Sequence, residues 1–273
     1  MKSVAIIIAP NWRDYAKRFL DDCVSSLRRQ DYQGDMKFFM VDNETSPESA
    51  SYLMKKVPEA EIVLNKNNDG FAKGNNDVIK LALSQGFDYI FLVNMDTITN
   101  ANCVGELVKA IESNKSYGVV QARLMLHPET NLINSVGNTT HFLGFGYCEG
   151  YKNKIQEYKN TEIENICYPT GAAVLFRREV LEDIGLFGEE FWMYNEDQDI
   201  GWRAWLAHWK CVVAPSAVVY HKYEFARSVK NYFWMDRNRI IAMLKNYKLL
   251  TLLLILPAFI AMEFGLILFS LKS

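Results

Sequence analysis

Over its first hundred residues the chain alternates short, solidly apolar runs with longer stretches in which apolar positions recur every three or four residues. VAIIIA (4–9), MKFFMV (36–41), EIVL (61–64) and YIFLV (89–93) are too short and too uniformly apolar for amphipathic helices and read as buried strands. Between them, Asp14 to Arg29 places Tyr15, Phe19, Cys23, Ser26 and Leu27 on one helical face, and Ala72 to Ser84 and Ala101 to Ser113 repeat the pattern. DNETSPES (42–49) is turn chemistry opening a short helix. This alternation predicts an α/β fold, with a Rossmann-like, mainly parallel central sheet flanked by helices. Each polar cluster follows the carboxyl end of a strand, where open α/β sheets bind ligands.

From Tyr117 to Cys167 the texture changes to short, glycine-rich and aromatic segments, which predict hairpins and loops with a mobile section near Lys152 to Asn165. Helical periodicity resumes at Arg178 and at Glu196. KCVVA (210–214) and AVVYH (217–221) read as strands, and Phe225 to Asn246 as a helix. Leu249 to Leu271 is almost wholly apolar and long enough to cross a bilayer. Pro257, Glu263 and Gly265 within it leave three forms open: a re-entrant or interfacial helical pair, one tilted span, or a helix packed on the soluble core. KNYK (245–248) just upstream supplies cationic and aromatic groups suited to lipid headgroups. The chain therefore divides into a domain over 1–246 and a membrane-associated C-terminal segment over 247–273.

Composition narrows the function classes. With 273 residues, 49% of them hydrophobic, the chain can bury a full core and is neither disordered nor fibrous. A formal net charge of −2 provides no basic field, so nucleic acid is not an expected partner. The five cysteines are scattered, with no Cys-x-x-Cys pair, and read as reduced, mostly buried thiols. The N-terminal apolar run is too short for a signal peptide. Together with the apolar tail, these features predict the cytoplasmic face of a membrane, peripheral or anchored.

The strand ends carry the candidate chemistry. PNWRD follows the first strand without a glycine, which argues against a dinucleotide site, and the absence of a Gly-Lys dipeptide argues against a phosphate-cradling loop. Asp42 and Asn43 follow the second strand, and NMDT, with Asn94 and Asp96, follows the fourth. An aspartate with a second oxygen ligand two residues earlier suits a hard divalent cation bridging a diphosphate, although such triplets are also common in turns. MYNEDQDIGWRAW (193–205) sets Glu196, Asp197 and Asp199 beside tryptophans, surroundings that raise a carboxyl's proton affinity. Asp199 is spaced to cap the helix or pair with Arg203, and Lys73 to touch phosphate or stay solvated. Trp192, Trp202 and Trp205 suit either stacking on sugar faces or core packing.

IIIAPNW, VDNETSPES, NNDGFAKGNN, FLVNMDT, the long block PTGAAVLFRREVLEDIGLFGEEFWMYNEDQDIGWRAW, and VVYH, in this order and spacing, resemble family 2 glycosyltransferases of the GT-A fold, within the rhamnosyltransferase-like group. The resemblance covers Val4 to about Asn246. It implies an inverting transfer of a sugar from a UDP- or dTDP-type nucleotide diphosphate sugar to a glycan or lipid-linked acceptor. Asp42 would hydrogen-bond the nucleobase, with Pro10 and Asn11 lining its pocket. Gly70, Phe71, Ala72 and Asn76 would frame base and ribose, and Asn94 and Asp96 would face the donor. Asp96 and His221 would hold a divalent metal, Mn or Mg. Gly171 and Trp192 would meet the acceptor. Asp197 would be the general base, with Glu196 orienting it or binding an acceptor hydroxyl. Asn94 stands where many relatives have Asp. Two other classes compete: a non-catalytic sugar-nucleotide binding subunit, and a metal-dependent nucleotidyltransferase.

Overall fold

The computed structural model describes residues 1–158, 161–223 and 228–270. The elements run β1 (Val4–Trp12), α1 (Tyr15–Leu27), β2 (Met36–Asn43), α2 (Pro47–Lys56), β3 (Glu61–Leu64), α3 (Gly70–Ser84), β4 (Tyr89–Val93), β5 (Thr97–Thr99) and α4 (Cys103–Glu112). They continue with β6 (Tyr117–Leu126), β7 (Ile133–Ser135), β8 (Asn138–Thr140), β9 (Gly146–Cys148), β10 (Glu164–Asn165), β11 (Ala173–Arg177) and α5 (Arg178–Ile184). The last are α6 (Glu196–Leu206), β12 (Lys210–His221), α7 (Val229–Asn246) and α8 (Leu249–Ser270).

The central sheet has the order β10-β12-β6-β11-β4-β1-β2-β3. It is parallel through β4, β1, β2 and β3 and again between β6 and β12, and β11 enters antiparallel to both of its neighbours. Because successive strand side chains face opposite ways, β1 feeds two cores. Val4, Ile6 and Ile8 pack with α1, α2 and α4 on one face, whereas Ala5, Ile7 and Ala9 pack with α3, α5 and α6 on the other. Helix α1 buries Phe19, Cys23, Ser26 and Leu27 as its periodicity predicts. SPES begins α2 as a capping box, with Pro47 in the first turn and Ser46 and Ser49 bonding each other's backbone N–H.

Two expectations change, and one strand is unforeseen. The stretch predicted as hairpins and loops begins with β6, a ten-residue strand between β11 and β12; Gln121 and Arg123 interrupt its apolar run and mask it. Gln121 is nevertheless buried, accepting from Thr170 N–H and donating to Ser135. Strand β11 is preceded by Pro169 and Gly171 but runs straight into α5 with no punctuation at its end. KCVVA and AVVYH join into the single strand β12, which breaks register between Ala214 and Val218 at Pro215, a residue with no N–H for the ladder. Within Lys152 to Asn165 the described residues form a short 3-10 turn at Ile155–Glu157 and strand β10, and 159–160 lie outside them. The helix predicted from Phe225 is described from Val229, since 224–227 lie outside as well.

The apolar tail is one continuous helix, α8, through Pro257, rather than a helical pair. Its segment Leu249–Leu268 is long and apolar enough to cross a membrane. Leu252, Ile255, Phe259 and Glu263, at spacings of three and four, are half-buried, and most of the remaining side chains are exposed.

Helix α6 lies so close to the chain before β11 that a Cβ on Gly201 would sit 2.4 Å from Tyr168 Cβ and 2.8 Å from its Cα. Gly201→Ala is expected to destabilise the fold by about 1–3 kcal/mol through overpacking, read as a lower urea midpoint at unchanged m-value.

Candidate active site

The carboxyl ends of β1, β2 and β4 lie side by side and deliver the first group of residues. At the end of β1, Asn11 donates from Nδ2 to Asp42 Oδ1 at 2.7 Å, and its own oxygen accepts from Ala16 N–H. Ser49 Oγ donates to the other Asp42 oxygen at 2.6 Å. Asp42 is thus 1% exposed with both oxygens engaged. A cavity of about 250 Å³ opens beside these partners, lined by Asn11, Arg13, Lys17, Ser49 and Tyr52 among others. Pro10 packs toward α3, where a Cβ on Gly74 would lie 2.8 Å from its Cγ.

Asn94 and Asp96 follow β4. Asn94 N–H donates to Ala172 O at 2.9 Å, which sets this turn against the chain entering β11. Pairing of β12 with β5 places His221 opposite Thr97, and His221 Nε2 stands 3.3 Å from Asp96 Oδ1 without making a hydrogen bond. His221 Nδ1 meets Asn134 Oδ1 at 2.9 Å. When Nδ1–H donates there, the Nε2 lone pair faces the aspartate, and the pair is favourable only with a proton or cation between them. Burial opposes ionisation of Asp96, but with a proton on Nε2 the imidazole, together with Tyr15, outweighs it and holds the carboxyl below its ordinary range.

The Glu-Asp pair opens α6. Gly171 N–H donates to Asp197 Oδ2 at 3.2 Å and Gln198 N–H to Oδ1 at 2.8 Å, leaving Asp197 half-buried. Burial raises its proton affinity well above that of a free aspartate, and the two amides only partly counter this. Burial, then the charges of Asp197 and Asp199, raise Glu196 as well. Asp199 is fully buried and pairs with Arg203 at 2.9 Å. Gly171 is covered by Phe71, whose ring carbons would be 3.2–3.3 Å from an added Cβ.

The loop before α6 is backbone-strained. Trp192, Tyr194 and Asn195 have φ of +61°, +71° and +64°, a region costly for most side chains. Trp192 O accepts from the N–H groups of Phe71 and Ala72, at 2.7 and 3.2 Å, and so caps the start of α3. Gly70 has φ +82°, and a Cβ there would meet Trp192 at 2.5 Å, so the junction requires glycine. The Trp192 ring stacks on Trp234 at 4.9 Å.

The structure therefore brings Phe71, Asn94, Gly171, Trp192, Glu196 and Asp197 into one connected neighbourhood, with Asp96 and His221 joined to it through Asn94. Asn76 stands apart. Both atoms of its amide bond Phe187 backbone, so it ties α3 to the chain before α6. Lys73 is held by Asp77. Trp202 stacks on Tyr247, Trp205 bonds Ile166 O, and both line a larger cavity of about 560 Å³ that includes none of the residues expected to meet nucleotide, metal or acceptor. Sequence patterning passed over Ser49, Gln198, Arg237 and Asn238; the last two lie on α7 and hold the loop before Glu196.

Asn94 Oδ1, Asp96 Oδ1, Asn195 Oδ1 and Glu196 Oε2 are buried acceptors with no donor among the described residues. Each such atom costs about 1–3 kcal/mol unless water or a ligand completes it. No group of three or more His, Cys, Asp or Glu side chains able to hold a metal occurs among the described residues. The acceptors that are present are hard oxygens and one imidazole, the donor chemistry of a divalent ion that takes its other ligands elsewhere.

Solved structures share this fold. GalNAc-T7, crystallised with UDP, GalNAc and Mn2+, superposes with a TM-score of 0.67 at 12% identity over 89% of this chain and 47% of its own. S. aureus TarS 1-349 in complex with UDP gives 0.58 at 17% identity, over 91% and 67%. Among curated proteins, the low-salt glycan biosynthesis hexosyltransferase Agl10 of Haloferax volcanii is 22% identical over 182 residues, 63% of this chain and 54% of the relative. N-acetylglucosaminyl-diphospho-decaprenol L-rhamnosyltransferase of Mycobacterium tuberculosis is 42% identical over 52 residues, 19% and 17% of the two chains. The chain thus spans about half the length of the first relative and much less of the second. Residues 6–185, from within β1 to the end of α5, match the profile of the glycosyl transferase family 2 domain, and the chain belongs to that family.

Proposed function

We propose that the protein is an inverting hexosyltransferase that moves one sugar from a UDP- or dTDP-type nucleotide sugar to a hydroxyl of a glycan or lipid-linked acceptor, with Asp197 as general base. One observation carries the reading: a half-buried carboxylate of raised proton affinity, held by two backbone amides at the start of a helix, beside Gly171, where the backbone carries no side chain. In the transfer, the acceptor O–H gives its proton to Asp197 while its oxygen bonds the sugar's anomeric carbon. The bond from that carbon to the diphosphate breaks on the opposite face, and the nucleoside diphosphate leaves with the electron pair. The raised affinity of Asp197 suits it to take a proton near neutral pH.

On this reading, Asn11, Ser49 and Asp42 bound the base end. The cavity beside them is smaller than the ~300–1,000 Å³ of whole-ligand sites and suits the nucleoside alone. Asp42 meets a base only where Asn11 or Ser49 yields one of its oxygens. Gly70 and Phe71 flank the donor, and Trp192 and Glu196 face the acceptor. Asp96 and His221, with Asn94, would hold a divalent ion, manganese or magnesium, completed by the diphosphate. Such an ion, when bound, offsets the charge of the leaving group. The UDP and Mn2+ of the GalNAc-T7 structure and the unpaired oxygens of Asn94 and Asp96 support this. The exposed apolar surface of α8 supports association with a membrane, and on this reading the domain lies on its cytoplasmic side, where a lipid-linked acceptor would be met.

Four outcomes follow. Asp197→Asn is expected to lower kcat by about 10²–10⁴-fold with nucleotide binding and the circular dichroism spectrum retained; full activity in that variant would falsify the assignment. Because burial raises the Asp197 pKa and the base works ionised, the acid limb of the parent's rate profile should lie above the ordinary carboxylate range, with activity lost as pH falls through it. In calorimetry, UDP or dTDP should bind more tightly with Mn2+ or Mg2+ than without, and Asp96→Ala should erase that difference. A chain ended at Lys248 should leave the membrane fraction of a cell lysate, whereas the full chain remains in it.

A further inference from the structure

Asn238 lies fully buried on α7, outside the stretch that matches the family profile. Its Nδ2 lies 2.8 Å from the carbonyl oxygens of Phe191 and Met193 and 2.7 Å from that of Tyr194. An amide nitrogen has two hydrogens, so these acceptors share them. The Asn238 oxygen accepts from Arg237, which orients the amide, and Arg237 also donates to the carbonyls of Glu190 and Phe191. With Trp192 O bound to the start of α3, every carbonyl from Glu190 to Tyr194 is held from outside the loop. That external hold maintains three left-handed residues immediately before Glu196 and Asp197. The far end of α7 grips the first turn of α6 as well, Asn246 Nδ2 donating to Asp199 Oδ1 at 2.9 Å.

The next residue, Arg239, connects this arrangement to the apolar helix. Its guanidinium is 2% exposed and bonds Asp236 at 2.6 Å, Leu143 O at 3.0 Å and Glu263 at 2.5 Å. Glu263 is the one charged residue in α8, a costly group on a helix that is otherwise apolar. It falls on the half-buried stripe through which α8 meets the domain. Moving α8 away strips the buried guanidinium of one of its two carboxylates, so the position of α7 is tied to that of α8.

We propose that Asn238 is the positioning residue for Asp197, and that the Arg239–Glu263 pair makes its placement depend on the apolar helix being seated, so that turnover is coupled to the docking of α8. This rests on the reading of Asp197 as base.

The test uses the full chain purified in detergent, with Asn238→Asp, which removes the donors at nearly constant size, and Glu263→Gln, which removes the charge at constant shape. Turnover is read as release of nucleoside diphosphate from UDP- and dTDP-hexoses assayed in parallel. Both variants should lose about three- to thirty-fold in kcat with the nucleotide-sugar KM unchanged. Their acid limb should move to lower pH as Asp197 becomes better solvated, and the near-ultraviolet dichroism of the Trp192–Trp234 stack should weaken. Parental kcat and pH profile in both variants, or a loss confined to KM, overturns the proposal. Should Asn238→Asp fail to fold, the half-buried Glu263→Gln decides alone. If the parent turns over none of these donors, hydrogen exchange across 190–198 decides: faster in Glu263→Gln supports the coupling, and unchanged exchange overturns it. Asp197→Asn in the same assay separates the two ideas, since retained turnover there condemns the base and not the clamp.

Discussion

The carbonyl of Trp192, accepting from the first two free amides of α3, joins the two halves of the site. A helix start leaves N–H groups that something must satisfy. Here a loop 120 residues further along the chain does so. The same contact fixes how far Glu196 and Asp197 stand from the loop that opens α3. Glycine at position 70 is a consequence, since any side chain there would strike Trp192. So are the left-handed residues on the other side, because the chain must turn sharply to offer that oxygen and then enter α6.

Holding such a loop calls for rigid surroundings, and α7 provides them. Its three consecutive residues Arg237, Asn238 and Arg239 would be expensive to bury alone, and each is satisfied by carbonyls or carboxylates. Elsewhere in the site the accounting is left open. Asn94, Asp96, Asn195 and Glu196 each keep a buried oxygen without a donor, and two adjacent carboxyls share a poorly solvated pocket. On the proposed function a divalent ion and the hydroxyl donors of a sugar would meet these oxygens, and the tightly packed sheet beneath tolerates the local loss of stability.

The cores explain that tolerance. Alternate residues of β1 enter two separate apolar layers, so the strand ends carrying Asn11, Asp42 and Asn94 are anchored on both faces. β11 approaches antiparallel from the other side and delivers Gly171 next to the same edge. The site therefore lies where parallel and antiparallel parts of the sheet meet.

Much of this was legible in the sequence. Uniform apolar runs identify β1, β2 and β4 because a strand covered on both faces has no polar side, the run Ile62 to Leu64 marks the half-buried edge strand β3, and helical periodicity identifies α1, α3 and α4. The order and spacing of the six blocks from IIIAPNW to VVYH, which carry Asp42, Asp96, Glu196-Asp197 and His221, were enough to indicate the family. β6 and β11 were hidden, the first by buried polar residues satisfied only by distant partners, the second by its direct passage into α5. Which residues touch was decided by tertiary structure alone. Asp42 meets Asn11 and Ser49, Asn76 faces Phe187 rather than the cleft, and Asn238 clasps a loop more than forty residues before it. Local pattern records whether a residue is to be buried, because burial follows from its own chemistry and the period of its element. It carries no record of the partner, since the partner is set by how separate elements pack, and there the strain of the loop and the hold of α7 on it arise.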